Sequence, residues 1–260
     1  MGLLWRMPQR LGTLTRVRRY PFKSMAGEDL TEGWVSFAGV SGDRVFAFVD
    51  PQARPGFPWL TARQLPGLVC YSARFTNPPG SDEKYPSPSR FRVSVATPGG
   101  DVYVLDERGS EGEDARELVS DLGAETGRPV RLRFSEKGMH DSNPVSIVSG
   151  ASIRAFEAEY GAPLAPERFR ANFYVDWERP DPFVEDSLVG RRLRVGEKLE
   201  LFVVKRDPRC IVIDVDPATG EKGKGLLATV GKLRQGCAGV YAVPVREGTV
   251  RAGNPIALAD

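Results

Sequence analysis

Apolar residues along this chain recur in short runs, and the stretches between them are rich in proline, glycine and charge. Residues 11–20 alternate imperfectly and predict an opening strand, ended by Pro21, which has no amide hydrogen to donate. Residues 33–37 and 44–49 predict two more strands, joined through Gly39-Val40-Ser41-Gly42-Asp43, and residues 68–75 a further one. The stretch 77–90 is dense in Pro, Ser, Gly and charge and reads as an exposed, mobile loop. Residues 91–96 and 101–105 flank Pro98-Gly99-Gly100, a hairpin signal. Ala115, Leu118, Val119 and Leu122 then share one face of an amphipathic helix, which should end near Gly127.

The second half repeats the short-strand rhythm. Strands are predicted at 130–134 and 145–148, and a helix follows with Ile153, Phe156 and Tyr160 on one face, capped by Ser149 or Ser152. Residues 168–172 read as a loop entering a strand, and 193–195 and 198–204 flank a Gly196-Glu197 turn. Asp207-Pro208 should break that strand, and the β-rich run 211–215 predicts another, closed by the turn Asp216-Pro217-Ala218-Thr219-Gly220. Leu226, Leu227, Val230 and Leu233 predict a short helix stopped by Gly236, and strands at 240–245 and 255–258 close the pattern. Many short strands with few helices define an α+β, β-rich chain built on a barrel or a twisted mixed sheet. A soft boundary after Gly127 divides it into residues 1–127 and 128–260.

Charge narrows the partners. Over 260 residues, 36 basic and 34 acidic side chains nearly balance, so no broad field favours nucleic acid or an acidic membrane; any basic site is local. No run approaches the roughly 20 apolar residues of a membrane span, and residues 1–11 lack the apolar run of a signal peptide. The three cysteines, Cys70, Cys210 and Cys237, have no disulfide, zinc or iron–sulfur spacing, which points to a reducing, cytoplasmic setting. The one histidine, His140, sits beside loop formers and reads as a surface or loop-packing residue, so a histidine triad or multi-histidine metal site is not expected.

Cys210 stands at a predicted strand mouth, next to Arg209 and close to Arg206. Two readings stand: a small packing residue, the common fate of an unpaired cysteine, or a thiolate favoured by neighbouring cations and able to bind metal or attack. Three further polar clusters occupy strand mouths: Lys23/Ser24, Arg44 and Arg170/Asn172. A lone basic loop residue is usually only solvated. Clusters at the ends of strands are where sites are built, and Lys, Arg, Ser and Asn together suit an anionic ligand such as a phosphorylated cofactor. A P-loop is absent, and Gly220-Glu221-Lys222-Gly223-Lys224-Gly225 lacks phosphate-cradle spacing. Nothing else in the chain supports a pyridoxal Schiff base on Lys23.

Several motifs together resemble a known family. They are Tyr20-Pro21-Phe22-Lys23-Ser24, Asp43-Arg44, Thr61-Ala62-Arg63-Gln64, Arg168-Phe169-Arg170-Ala171-Asn172, Arg209-Cys210 with the Val215–Gly220 turn, Gly239-Val240-Tyr241 and Gly253-Asn254-Pro255. This set is similar to the MOSC family with its β-barrel-like N-terminal domain, in particular the amidoxime-reducing components and their bacterial relatives. The resemblance implies a MOSC-type β-barrel core beside a smaller β-rich N-terminal domain. It also implies a molybdenum cofactor, Mo-molybdopterin, whose metal takes one protein thiolate, by position Cys210. Cofactor contacts would fall on Lys23, Ser24, Arg44, Arg170, Asn172, Arg209 and Tyr241. The family's Thr-Ser-Pro loop falls on Ser142-Asn143-Pro144. Ala171 replaces a proline, and Asp207-Pro208 replaces smaller residues.

The implied reaction removes oxygen from a small-molecule N-hydroxylated substrate by two-electron reduction. The electrons would come from a separate partner, a flavin reductase with a haem or iron–sulfur carrier. The alternatives are sulfur transfer through a Cys210 persulfide, or a module that carries the cofactor. Both halves of the chain are expected to wall one cleft, with Cys70 and Cys237 left as packing residues.

Overall fold

The computed structural model describes residues 9–53, 56–78, 92–106, 109–223 and 225–259. Phe91, Lys224 and nearly all of the loop expected at 77–90 lie outside them. The first half carries β1 (Arg10–Arg19), β2 (Glu28–Leu30), β3 (Glu32–Ser36), β4 (Gly39–Val40), β5 (Phe46–Val49), β6 (Trp59–Leu60), β7 (Ser72–Asn77), β8 (Arg92–Ala96), β9 (Val102–Leu105) and α1 (Glu113–Thr126). The second half carries β10 (Arg131–Phe134), β11 (Val145–Ser149), α2 (Gly150–Tyr160), β12 (Phe173–Trp177), β13 (Arg192–Val195) and β14 (Leu199–Pro208). It ends with α3 (Leu226–Arg234), β15 (Cys237–Arg246), β16 (Gly248–Arg251) and β17 (Pro255–Leu258).

Seven strands close a barrel in the order β12-β11-β15-β14-β13-β17-β1, because β1 pairs with both β17 and β12; β2 adds to β1 outside the ring. Closure leaves the ring no open edge to pair elsewhere. The β11–β12 pair is parallel, so its connection must cross over, and α2 supplies the crossover. Ser149 caps that helix, accepting the Ser152 amide. Alternation works as the pattern demands: on β14, Leu199, Leu201 and Val203 point inward with Leu14, Phe173, Val175, Val240 and Ile256 to fill the barrel.

Three three-stranded sheets surround it: β10-β5-β6, β16-β3-β4 and β7-β8-β9. The first and third share a core of Phe22, Phe46, Phe48, Leu68 and Val95 with Leu118 and Leu122 of α1. On the other side of the barrel, α2 and α3 cover Phe156, Phe169, Ile213 and Val230. The halves exchange strands: β1 closes the barrel, whereas β10, beyond Gly127, pairs with β5.

The structure corrects three local expectations. Residues 211–215 are not a strand: Ile211–Asp214 is a 3-10 turn. The β-branched composition is overridden because Ile213 enters the core under α2 and α3, while Val215 packs on Ala62 and Val69. A strand would send both to one face. Asp207-Pro208 closes β14 as expected, after a register slip between Arg206 and Pro208, and this bulge accommodates a residue with no amide hydrogen. Residues 66–70 form a 3-10 turn opened by Pro66, so β7 starts only at Ser72. Gly39–Val40, expected as a connection, is itself a short strand on β3.

Candidate functional site

The strap after β1 lies along the segment that opens β5. The Tyr20 amide donates to Asp43 Oδ1 (2.7 Å), the Arg44 amide to the Tyr20 carbonyl (2.5 Å) and the Lys23 amide to the Phe46 carbonyl (2.8 Å). These bonds turn Lys23, Ser24 and Arg44 toward the barrel rim. From the rim come Arg170, after a 3-10 turn at Pro166–Phe169, then Asp207 at the end of β14, Cys210 just beyond it, and Tyr241 on β15. Together they wall one open cleft. Among the described residues five non-glycine positions have positive φ, and three of them, Ser24 (72°), Arg44 (54°) and Arg170 (46°), line this cleft. Such strain persists where surrounding structure imposes it, and it gathers at functional sites.

Six cations line the cleft (Lys23, Arg44, Arg63, Arg168, Arg170 and Arg209) against two carboxylates, Asp141 and Asp207. The charge is concentrated around Tyr20, whose buried ring lies 4.6 Å from the Arg44 guanidinium and 4.5 Å from that of Arg170. Arg44 is fixed by Asp43 and by the Arg170 carbonyl (2.9 Å). Arg170 donates Nη1 to the Met25 carbonyl (2.8 Å), and its buried Nη2 finds no partner. Burial brings the Arg170 pKa down to about 10, partly offset by Tyr20 and reinforced by Arg44. Lys23, 4% exposed, donates to the Met139 carbonyl (2.9 Å) and to Asp141 (2.7 Å). Burial depresses its pKa, and Asp141 only partly restores it. Burial works the other way on Asp141, but Lys23, Arg44 and Arg63 outweigh it and hold that carboxyl below its ordinary value.

The cation facing the Cys210 sulfur is Arg63, whose own pKa is raised by that contact. Arg209, the sequence neighbour, turns into the wall instead: its guanidinium donates to the carbonyls of Ala238 (2.9 Å) and Phe169 (2.5 Å) and pairs with Asp207 (2.7 Å). Arg206 points away, to Asp186 (3.0 Å) and the Arg234 carbonyl.

Lys23, Ser24, Arg44, Arg170, Arg209, Cys210 and Tyr241 therefore meet at one cleft, while Asn172, Ser142 and Asn143 do not line it. Asn172 is 1% exposed and staples strands behind the site, accepting the Ser146 amide (3.2 Å) and donating to the Arg18 carbonyl (3.2 Å). Ser142 and Asn143 bond each other nearby (3.2 Å), and their neighbour Asp141 lines the cleft in their place. His140 is packed between the Ala38 carbonyl (3.2 Å) and Asp43 (3.6 Å). Sequence reasoning passed over Arg63, Asp141 and Asp207 as site residues. Arg63 lay in a motif already singled out, Thr61-Ala62-Arg63-Gln64, and Asp207 was visible as an acid beside Arg209-Cys210.

Residues 11–122 match the MOSC N-terminal beta barrel domain, and residues 135–257 match the MOSC domain. Mitochondrial amidoxime reducing component 2 of Homo sapiens is 28% identical over 241 residues, covering 82% of this chain and 69% of that protein. The Macaca fascicularis protein of the same name is 27% identical over 238 residues, with the same coverage. Molybdenum cofactor sulfurase of Caenorhabditis elegans is 32% identical over 123 residues, which is 46% of this chain and 16% of that protein. Among solved structures, the YUAD protein of Bacillus subtilis superposes on 97% of this chain and 98% of its own, at 14% identity and a TM-score of 0.48. With one domain match on each side of the cleft, the chain belongs to the MOSC-domain family and carries the MOSC N-terminal beta barrel domain ahead of its MOSC domain.

Proposed function

We propose that this protein is a molybdenum-cofactor-dependent reductase of N-hydroxylated compounds. One observation carries it: Cys210 opens onto a cleft lined by six cations, in which the buried Arg170 Nη2 has a hydrogen left to donate. Among the described residues no cluster of three or more His, Cys, Asp or Glu side chains can hold a metal alone. A metal beside Cys210 would take its other ligands from a non-protein group. The cleft fits such a group: Lys23, Arg44 and Arg170 would hold its phosphate and ring oxygens, with Ser24 and Tyr241 as further hydrogen-bonding groups. When bound, the cofactor supplies two-electron chemistry at a metal with sulfur ligands, to which a thiolate is a matched soft ligand. Arg63 is the cation set against the Cys210 sulfur.

The overall reaction balances as R–NHOH plus two electrons and two protons giving R–NH2 and water. Electrons would arrive from a separate carrier, so NAD(P)H alone should give no steady turnover. No helix of the described residues is long and apolar enough to cross a membrane.

The test compares Cys210→Ala, Cys70→Ala and Cys237→Ala after expression in a cofactor-competent host. Expected is parental activity per bound molybdenum in the last two and collapse in the first, with all three folded. Equal activity in the three would remove Cys210 from the role. The sulfurase match favours one rival, a Cys210 persulfide carrier. It would give a molybdenum-free protein that releases sulfide on reduction.

A further inference from the structure

Asp207 is an acid placed where an acid is costly. It is 1% exposed, yet it lines the cleft, three positions before Cys210 on the bulged end of β14. Bulges beside sites re-aim a side chain that regular pairing would send elsewhere. Its Oδ2 accepts the Ser146 hydroxyl (2.7 Å) and the Arg209 guanidinium (2.7 Å), while its buried Oδ1 has no partner. A buried carboxyl oxygen left bare is unfavourable unless a proton or a ligand group completes it.

Reduction of an N–OH group consumes two protons, and the groups lining the cleft do not supply them equally. The arginines hold theirs too tightly. Lys23 has its ammonium committed to Met139 and Asp141. Asp141 is held ionised by the cations around it. Tyr241 is pushed up, first by burial and then by Asp207, which makes it a poor acid. His140 does not line the cleft.

We propose that Asp207 is the proton donor of this cleft, giving its carboxyl proton to the oxygen that leaves the substrate's N–OH group. This rests on the N-hydroxy reductase reading above. The bound cofactor would supply the two electrons with which the N–O bond breaks, and a separate electron carrier would replace them. The Asp207 O–H bond breaks as an O–H bond of the departing water forms. The second proton reaches nitrogen from solvent, and solvent then reprotonates Asp207. Arg209 and Ser146 are already placed to stabilise the carboxylate left behind. Burial raises the Asp207 pKa, against the pull of Arg209, Ser146, Tyr241 and Arg44, the groups that face it from the loop after β14, from β11, from β15 and from the strap side. An acid moved toward neutrality is the useful kind.

The experiment has two arms on the full chain. In the first, infrared difference spectra of cofactor-free protein against pH should show a buried carboxyl that stays protonated above the ordinary aspartate range in the parent and is absent from Asp207→Asn. In the second, molybdenum-normalised reduction of a model N-hydroxy compound is followed against pH. The parent should lose kcat as pH rises through the carboxyl transition. Asp207→Asn should lack that limb and run about 10²-fold slower or less, with parental molybdenum content. Ser146→Ala removes a hydrogen bond to the ionised form, so it should move the limb to higher pH. A missing carboxyl band in the parent overturns the proposal, as does an unchanged profile in either variant. A fully loaded parent that reduces no N-hydroxy compound sinks the reductase reading itself. That failure appears in the parent, before any variant is compared.

Discussion

Tyr20→Leu tests whether an aromatic ring, rather than counter-ions alone, holds the cleft's positive charge together. The ring is 1% exposed and lies within 4.6 Å of two guanidinium carbons, those of Arg44 and Arg170. Each desolvated cation–π contact is worth about 1–2 kcal/mol, so the two together contribute about 2–4 kcal/mol. The hydroxyl donates to the Ala171 carbonyl at 3.2 Å, a long bond worth about 0.5–1 kcal/mol net. Replacing the ring by a smaller side chain also leaves unfilled space, adding about 1 kcal/mol. Tyr20→Leu should therefore cost about 3.5–6 kcal/mol, a large share of a typical total of about 5–15 kcal/mol. Tyr20→Phe keeps the ring and loses only the hydroxyl, about 1 kcal/mol. Urea unfolding of the three proteins measures this directly. With a slope of about 2–3 kcal/mol/M, Tyr20→Leu should move the midpoint by about 1–3 M and Tyr20→Phe by no more than about 0.5 M. If the two variants fall within about 0.5 kcal/mol of each other, the ring is ordinary filling and the arginines are held by Asp43 and backbone carbonyls alone.

Two further outcomes follow from backbone and burial. Gly239 has φ +78° inside β15, and a Cβ there would strike the Ile147 carbonyl across the barrel seam; Gly239→Ala should cost about 2–5 kcal/mol by combined strain and overpacking, read as a lowered Tm. Burial holds the His140 pKa below its ordinary value, with Arg44 and Lys23 adding to it against Asp43. The unfolded chain therefore takes up a proton that the folded ring refuses, and stability should fall as pH drops through about 6.5; His140→Gln should flatten that part of the pH–stability curve, and an unchanged slope would place the titrating group elsewhere.

Much of the scaffold was legible because its signals are local. Alternation on β14, the hairpin around Gly99-Gly100, the Ser149 cap and the Gly127 stop each depend on a few adjacent residues. The strand-mouth positions Lys23, Arg44, Arg170 and Cys210 were legible for the same reason, since a polar residue at the end of an extended run is a local pattern. What was not legible is which way each charge faces. Arg209 adjoins Cys210 in sequence, but its guanidinium is drawn to the Ala238 and Phe169 carbonyls and to Asp207, groups that only the closed barrel brings near. Arg63 reaches the sulfur because the Thr61–Gln64 turn, held by the Gln64 side chain, lies across the cleft from β14. The run 211–215 fails as a strand for a tertiary reason as well, because its apolar residues serve two different cores.

The misassigned charges change the chemistry more than the misassigned strand does. If Arg209 had faced the thiol, Asp207 would have lost the guanidinium that pairs with it directly, at a desolvation cost to the buried carboxyl. With Arg209 turned inward, one arginine supports Asp207 and another, Arg63, supports Cys210. Acid and thiol then stand on the same short segment, each with its own cation. On the reading proposed above, a proton donor and a metal ligand would stand three residues apart without sharing a cation, because the arginine set against Cys210 is not the one paired with Asp207.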